Sequence, residues 1–312
     1  MNSIKSSFSI KNLENFSGIK AHTLRIWEKR YNLLDPERTE TNIRRYSLEN
    51  LKKLLNVTLL YNYGFKISKI SILSNKQISD SVSKIALKSN SEQIAINAFK
   101  LAMINFDCEL FNKNYDEILT YHNFEYIFMD VFMPLMKELG ILGQTDVISP
   151  IHEHFITNLV KQKIHIQTER VQRNIKKNTG YPIFVLFLPE NEIHELGILY
   201  LNYLTLSKGF RTILLGQSIQ ISSLENLYTY GKSFNFITYI TVEPNKKEIM
   251  PYLKSFNKRL LMDTNSKLII FGPQQIEIDL NNLPNKIQLY RSFESFINDY
   301  FEEKYMLKHQ II

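Results

Sequence analysis

Five short apolar runs, the first four separated from one another by helical patterns, occupy the C-terminal part of this 312-residue chain. Short apolar strands that alternate with helices predict a parallel β-sheet with helices on both faces, because each parallel connection must cross over the sheet. We therefore expect a doubly wound domain of the Rossmann or flavodoxin type over residues 181–305. The five runs are Ile183 to Leu188, Arg211 to Leu215, Phe236 to Val242, Lys267 to Phe271 and Ile287 to Tyr290.

The N-terminal half has a helical period instead. Residues 93–178 show apolar positions at helical spacing in four segments, which predicts a four-helix bundle. Residues 76–92 are rich in Ser, Asn and Lys, and we expect a linker with at most a short helix. The predicted fold class is thus mixed α and α/β, with a further small domain over residues 7–75.

This small domain contains a short helical pattern, a turn at Ser17-Gly18, a second helical pattern with arginines on one face, and a basic hairpin. That order predicts a winged helix-turn-helix, a fold that binds DNA. Up to Leu73 the chain has thirteen basic and six acidic residues, and the difference equals the net charge of +7 of the whole chain. Such asymmetry is typical of a protein that binds a polyanion.

The outer face of the second helix and the end of the hairpin are predicted to contact DNA. Arginine can fork to a guanine or clamp a phosphate, and both roles stay open for each arginine of the helix. A hairpin wing follows the phosphate backbone. The alternative is that these charges are only the solvated face of a small helical domain. The predicted contacts are His22, Arg25, Lys29, Arg30, Arg44, Arg45 and Tyr46.

The stretch TLRIWEKRYNLLDPERTETNIRRYS, which ends at Ser47, resembles the MerR family of transcriptional regulators. It is similar to the branch whose recognition helix reads T-L-R-x-W-E-x-R-Y and whose wing ends R-x-Y-S, and the resemblance covers residues 8–73. It implies a homodimer or higher oligomer that binds a near-palindromic operator and distorts the duplex. RNA polymerase at the promoter is a further candidate partner.

The loop after the first predicted strand reads PENEIHELG, from Pro189 to Gly197. Ligands of doubly wound sheets bind at the carboxyl ends of the strands. An imidazole there can bind cobalt, a neighbouring carboxylate can fix its tautomer, and a glycine allows close approach. Glu192-x-His194-x-x-Gly197 resembles the E/D-x-H-x-x-G signature of cobalamin-binding domains. A histidine before a helix is also often a cap or a surface residue, and that alternative stays open.

The combination of the three domains resembles the cobalamin-dependent light-responsive repressors over nearly the whole chain. The resemblance implies cobalamin as cofactor and His194 as the ligand of its cobalt ion. It also implies that Glu153 and His154 lie over the upper face of the corrin ring. Two alternatives for this region stay open: a polar pair at the start of a helix, and a metal site from three histidines. The cofactor-binding positions that the resemblance implies are Glu153, His154, Glu192, His194, Gly197, Tyr239, Thr241 and Gly272, and the three histidines are His152, His154 and His165.

Three departures from that family argue against adenosyl-dependent photochemistry. The tryptophan that precedes the Glu-His pair in the family is Gly143 here. The S-x-L motif, which in the family lines the tunnel for the cobalamin tail, reads Tyr239-Ile240-Thr241. The later Gly-Gly motif reads Gly272-Pro273, and proline removes an N–H donor.

Other sequence features limit the class of protein. There is no leader pattern and no apolar run long enough to span a bilayer, so we expect a cytoplasmic protein with no membrane partner. A lone cysteine, Cys108, excludes an intrachain disulfide framework, and we expect it to be a small buried apolar residue.

The sequence therefore favours a DNA-binding regulator whose C-terminal domain senses a corrinoid. The alternative keeps the DNA activity but gives residues 93–305 only a role in oligomerisation or partner binding. An enzyme is not expected, because no stretch can supply the barrel that partners cobalamin modules in mutases and methyltransferases, and no catalytic motif is present.

Overall fold

The computed structural model describes residues 7–85, 92–144, 148–174, 183–231 and 233–302. The chain divides into two compact units, Met1–Val160 and Lys161–Ile312. The first unit is mainly helical and the second contains a parallel sheet, which confirms the predicted mixed α and α/β class.

The first unit begins with the winged helix-turn-helix. Ser9 caps α1 by accepting a hydrogen bond from the Asn12 N–H, and Gly18, at φ 73°, ends it. Ser47 caps α3 in the same way through the Asn50 N–H. The three short strands form an antiparallel sheet in the order β1-β3-β2. The elements are β1 (Ser7–Phe8), α1 (Ile10–Ser17), α2 (Ala21–Tyr31), β2 (Glu37–Arg38), β3 (Arg44–Ser47) and α3 (Leu48–Asn62).

Helices continue from there to the end of the first unit and beyond it. Phe99, Phe111 and Phe132 pack against one another in the core of the bundle, with ring centroids 4.9–6.1 Å apart. The elements are α4 (Ile67–Ile70), α5 (Asn75–Ile85), α6 (Glu92–Asn105), α7 (Cys108–Tyr121), α8 (Phe124–Tyr126), a π-helical segment Ile127–Phe132, α9 (Met133–Gln144) and α10 (Pro150–Asn174).

Two features of this region differ from the sequence expectations. The predicted linker contains the 11-residue helix α5, because Ile78 and Val82, four residues apart, are buried on one face, and α5 packs on α3. Cys108 is exposed rather than buried, since it is the first residue of α7 and lies on the outer side of the helix start.

In the described residues of the second unit, five parallel strands form a sheet in the order β5-β4-β6-β7-β8. Each predicted apolar run forms a strand, although β5 extends four residues beyond the predicted end and β6 stops at Tyr239. The elements are β4 (Ile183–Pro189), α11 (Leu196–Ser207), β5 (Arg211–Ile219), α12 (Ile221–Leu224), a 3-10 segment Glu225–Thr229, β6 (Asn235–Tyr239), α13 (Ile249–Phe256), a π segment Asn257–Leu261, β7 (Lys267–Phe271), 3-10 segments Pro273–Glu277 and Leu280–Asn282, β8 (Ile287–Leu289), α14 (Phe293–Ile297) and a π segment Asn298–Glu302.

The strand β4, which lies between β5 and β6, is buried on both faces. Successive side chains point to opposite faces, so Phe187 contacts Phe256 of α13 while Phe184 contacts Phe296 of α14. Helices thus cover both sides of the sheet, which explains why the strand is apolar throughout rather than alternating. The carboxyl end of β4 leads directly into the loop that carries His194.

Candidate functional site

The recognition helix α2 separates its basic and apolar faces. Leu24 and Trp27 are buried, and the Trp27 ring meets Tyr61 edge-on at 5.0 Å. All four residues that were predicted to contact DNA from this helix are exposed, so their side chains are available to a partner. They are His22, Arg25, Lys29 and Arg30.

The wing residues have three different environments. Arg45 is exposed. Arg44 is half-buried, and its Nε donates to Glu28 Oε1 at 2.8 Å. Tyr46 is fully buried, and its hydroxyl donates to Glu28 Oε2 at 2.7 Å. Burial raises the pKa of Tyr46, and the hydrogen bond to Glu28 adds to that effect.

This geometry corrects the expectation that Tyr46 contacts a phosphate. On a strand, alternate residues face opposite sides, so an exposed Arg45 places Tyr46 inside. Tyr46 and Arg44 together hold the carboxylate of Glu28 and thereby join the wing to α2. Sequence reasoning missed Glu28, although the period of two in the wing indicated that Tyr46 points inward.

Glu192 organises the loop at the carboxyl end of β4. Its side chain is fully buried, and its two oxygens accept hydrogen bonds from five backbone N–H groups. Three of these donors come from the segment that follows β6, so one carboxylate joins the ends of two adjacent strands. The donors are the backbone N–H groups of Ile193, His194, Thr241, Val242 and Glu243, at 2.6–3.0 Å.

The same carboxylate fixes the ring of His194. Glu192 Oε1 lies 2.6 Å from His194 Nδ1. Burial alone would raise the pKa of Glu192, but the hydrogen bonds from Val242, His194 and Glu243 outweigh it and lower the pKa to about 2. An ionised carboxylate only accepts, so Nδ1 carries the proton and Nε2 of the neutral ring carries a lone pair. Because the His194 side chain is 53% exposed, this nitrogen is available as a metal ligand.

The other predicted positions of the loop region lie close to this dyad. Thr241 acts through its backbone N–H rather than its hydroxyl. Gly197, in the first turn of α11, lies under the Tyr239 ring, because a Cβ at this glycine would be 2.5 Å from the ring. At Gly272, with φ 104°, a Cβ would be 2.2 Å from the Ile240 carbonyl oxygen, so only glycine fits there.

The Glu153-His154 pair lies in the first turn of α10, and both side chains are exposed. A Cβ at Gly143 would be 3.8 Å from Glu153 Oε2, so the position that is tryptophan in the resembled family lies beside Glu153. His152 is buried and stacks on Phe106, with ring centroids 4.7 Å apart. Among the residues that the structure describes, no group of three His, Cys, Asp or Glu side chains could hold a metal ion, so the predicted alternative of a three-histidine site has no support there.

A buried lysine links the DNA-binding helices to the bundle. Lys100 of α6 is 3% exposed at its side chain, donates to the Phe16 carbonyl oxygen at 3.3 Å, and pairs with Glu138 of α9. Phe16 lies in the last turn of α1, where carbonyl groups lack partners within the helix. Lys100 therefore supplies a positive charge and a donor to a helix end that has no basic residue of its own. A lysine within an apolar helix was the available sequence signal, and it was missed.

Comparison with known proteins gives two family matches and a set of relatives. Residues 8–77 match the MerR HTH family of regulatory proteins, and residues 95–166 match the B12 binding domain. The HTH-type transcriptional repressor CarH of Myxococcus xanthus is 22% identical over 70% of this chain and 73% of its own length. The HTH-type transcriptional repressor CarA of the same organism is 24% identical over 69% of this chain and 70% of its own length.

A solved structure shows the same fold. The monomethylamine corrinoid protein of Methanosarcina barkeri superposes with a TM-score of 0.53 at 13% identity, and the alignment covers 68% of this chain and 100% of that protein.

Within the described part of the chain, no helix combines the length and apolar character that crossing a bilayer requires.

Proposed function

We propose that this chain, which joins a MerR-type helix-turn-helix to a B12-binding domain, is a DNA-binding transcriptional regulator that senses a corrinoid and so controls operator binding. The observation that carries the proposal is the Glu192-His194 dyad. It holds an exposed imidazole in the tautomer that binds metal, in the same chain as the exposed basic face of α2.

The residues present fit the lower side of a corrinoid. His194 Nε2 would bind the cobalt ion, and Glu192 would keep Nδ1 protonated and the ring oriented. Bound there, a corrinoid would supply a cobalt ion that accepts an imidazole nitrogen as a ligand. The assignment of Glu153 and His154 to the upper side of the same cofactor stays a prediction from the family resemblance.

On the DNA side, Arg25, Arg30, His22 and Lys29 would enter the major groove with α2, and Arg45 would contact the phosphate backbone. Tyr46 and Glu28 would orient the wing without touching DNA. Homo-oligomerisation and contact with RNA polymerase belong to the same proposal on the family resemblance alone. A cytoplasmic location is proposed because the relatives are named as transcriptional repressors.

Corrinoid binding is tested by titrating the full-length protein with hydroxocobalamin and with diaquacobinamide, which lacks the nucleotide tail. We expect corrinoid absorbance to co-elute with the protein, and the absorption bands to shift as imidazole binds cobalt. His194→Ala should lose both effects, whereas His165→Ala, an exposed histidine elsewhere, should keep them. Unchanged spectra with both compounds would exclude the sensor and favour the alternative, a domain for oligomerisation or partner binding.

DNA reading is tested with Arg25→Ala on an operator selected from random duplexes. If Arg25 reads a base, the variant should lose about 1–3 kcal/mol of binding free energy and show a relaxed sequence preference. An equal loss on operator and random DNA would make Arg25 a phosphate contact instead.

A further inference from the structure

We infer that the corrinoid that suits this chain is one whose nucleotide tail is absent or stays outside the protein, because the Tyr239 ring fills the space over Gly197, at the start of the helix that follows His194, that a displaced tail would need. The inference rests on the proposed function and specifies its ligand class. Its basis is the packing of one aromatic ring against one glycine at the carboxyl edge of the sheet.

The chemistry of the ligand makes tail placement unavoidable. A complete cobalamin carries a benzimidazole nucleotide that occupies the lower axial position of its own cobalt ion. If His194 takes that position, the base, ribose and phosphate must move away from the metal together. They must then enter the protein close to the His194 loop or remain in solvent.

The Tyr239 ring occupies the α11 side of the sheet edge, over Gly197. Strand β6 lies directly beside β4, which leads to His194, and Tyr239 is the last residue of β6. Three atoms of the Tyr239 ring would lie 2.5–2.7 Å from a Cβ at Gly197, so the ring rests on the bare backbone of α11. The ring of Phe293 lies behind it, with centroids 6.4 Å apart. Glycine, which has no Cβ, therefore leaves room at residue 197 for the ring of Tyr239.

The next gap along the edge is also closed. Ile240 follows Tyr239, and its N–H donates to the Phe271 carbonyl oxygen at 2.8 Å. The backbone of Gly272 approaches Ile240 so closely that no Cβ would fit. The ends of β6 and β7 are thus in backbone contact rather than separated by a channel.

On the opposite side of the same sheet edge there is space, but acidic residues line it. A cavity of about 420 Å³ lies there, and its walls include the carboxylates of Glu190, Glu243 and Glu248. The arginine of its wall, Arg259, already donates to Glu225 at 2.6 Å. A phosphodiester anion would therefore meet three carboxylates and one arginine that is already paired, which disfavours burial of the tail there.

The test compares two corrinoids on the full-length protein. We expect diaquacobinamide to bind with an imidazole-type spectrum at least about tenfold more tightly than hydroxocobalamin, because only the latter must release its own base from cobalt and then expose or bury the tail. Tyr239→Ser, which restores a small hydroxyl, should tighten hydroxocobalamin binding by about the same factor and leave diaquacobinamide binding unchanged. Tyr290→Ser makes the same deletion beyond β8, two strands along the same edge, and should alter neither affinity.

The possible outcomes separate the inference from the function on which it rests. Equal affinities of the wild type for the two corrinoids would overturn the inference and leave the sensor intact. Binding of neither compound would overturn the sensor and, with it, the inference. If Tyr239→Ser fails to fold, Tyr239→Val, a β-branched residue suited to the end of a strand, removes the ring in its place, with His194→Ala as the variant that must lose diaquacobinamide binding.

Discussion

Glu192 is a single buried carboxylate that does two tasks, since it closes the loop after β6 and orients the His194 ring. Both tasks need the ionised form, because a protonated carboxyl would donate where the backbone N–H groups and Nδ1 also donate. Its lowered pKa is therefore a property on which the site depends rather than an incidental one.

The contribution of ionised Glu192 to the stability of the fold depends on pH with a definite sign. A carboxyl whose folded pKa is about 2, against an ordinary value of 4.5, stabilises the fold above pH 4.5 and loses that effect as the pH falls toward 2. Glu192→Gln should be less stable than the wild type at pH 7, and the difference should shrink between pH 4.5 and pH 3. Urea unfolding at each pH measures it, and a constant difference would contradict the assignment.

The same variant should weaken corrinoid binding, because the His194 tautomer is no longer fixed. Loss of such a partner typically lowers affinity for a metal by roughly 10- to 100-fold. Glu190→Gln, two residues earlier, provides the control, since Glu190 accepts from Gln220 and does not contact His194.

Tyr46 and Arg45 are neighbours in the wing with opposite predicted effects. Tyr46→Phe removes the hydroxyl that donates to Glu28 and should cost about 1–3 kcal/mol of stability, with the salt dependence of DNA binding unchanged. Arg45→Ala should leave stability unchanged and reduce the slope of log K against log salt by roughly 0.9 for one lost phosphate contact. Thermal unfolding and binding across a salt series check both, and a smaller slope in Tyr46→Phe would restore Tyr46 as a DNA contact.

At the level of elements, the strands and the capped helices could be predicted because their signals are local. The apolar runs are long enough for strands and too short for helices, and Ser47 caps α3 next to a run of leucines. The sequence predicted at most a short helix in the linker, and the length of α5 was underestimated because its polar composition hides two buried residues, Ile78 and Val82, whose partner α3 lies elsewhere in the sequence.

The candidate site was predictable only in part, for a similar reason. The spacing of Glu192 and His194 indicated their pairing, but backbone N–H groups after β6 have no residue type that announces them. The contact between Tyr239 and Gly197 joins residues 42 positions apart. It depends on which strands are neighbours, and local patterns do not encode strand order.

Lys100 connects α1 to the bundle, and its substitution should reveal how much this connection contributes to stability. Lys100→Met keeps the length and apolar stem but leaves the Phe16 carbonyl oxygen and Glu138 without their shared partner. We expect a loss of about 1–3 kcal/mol in stability and weaker DNA binding, since α1 packs on α2. Lys137→Met, an exposed neighbour of Glu138, should change neither in thermal unfolding and operator binding.

For the whole molecule, the proposed switch links two equilibria in one chain. If corrinoid changes operator affinity by some factor, operator must change corrinoid affinity by the same factor. The ratio of the corrinoid affinities measured with and without operator should therefore equal the ratio of the operator affinities measured with and without corrinoid. A corrinoid that binds through His194 while both ratios equal one would show that the domain binds its ligand without controlling DNA.

Lys100 also decides how the chain can be engineered. Because a bundle residue completes the end of a DNA-binding helix, the N-terminal domain is not an interchangeable cassette. A chimera joined within residues 76–92 would lose Lys100. The Phe16 carbonyl oxygen would then lack its hydrogen-bond donor at the surface that a grafted sensor covers. Fusions to other sensors should therefore be joined after α9, so that Lys100 and Glu138 stay in the same chain as the winged helix-turn-helix.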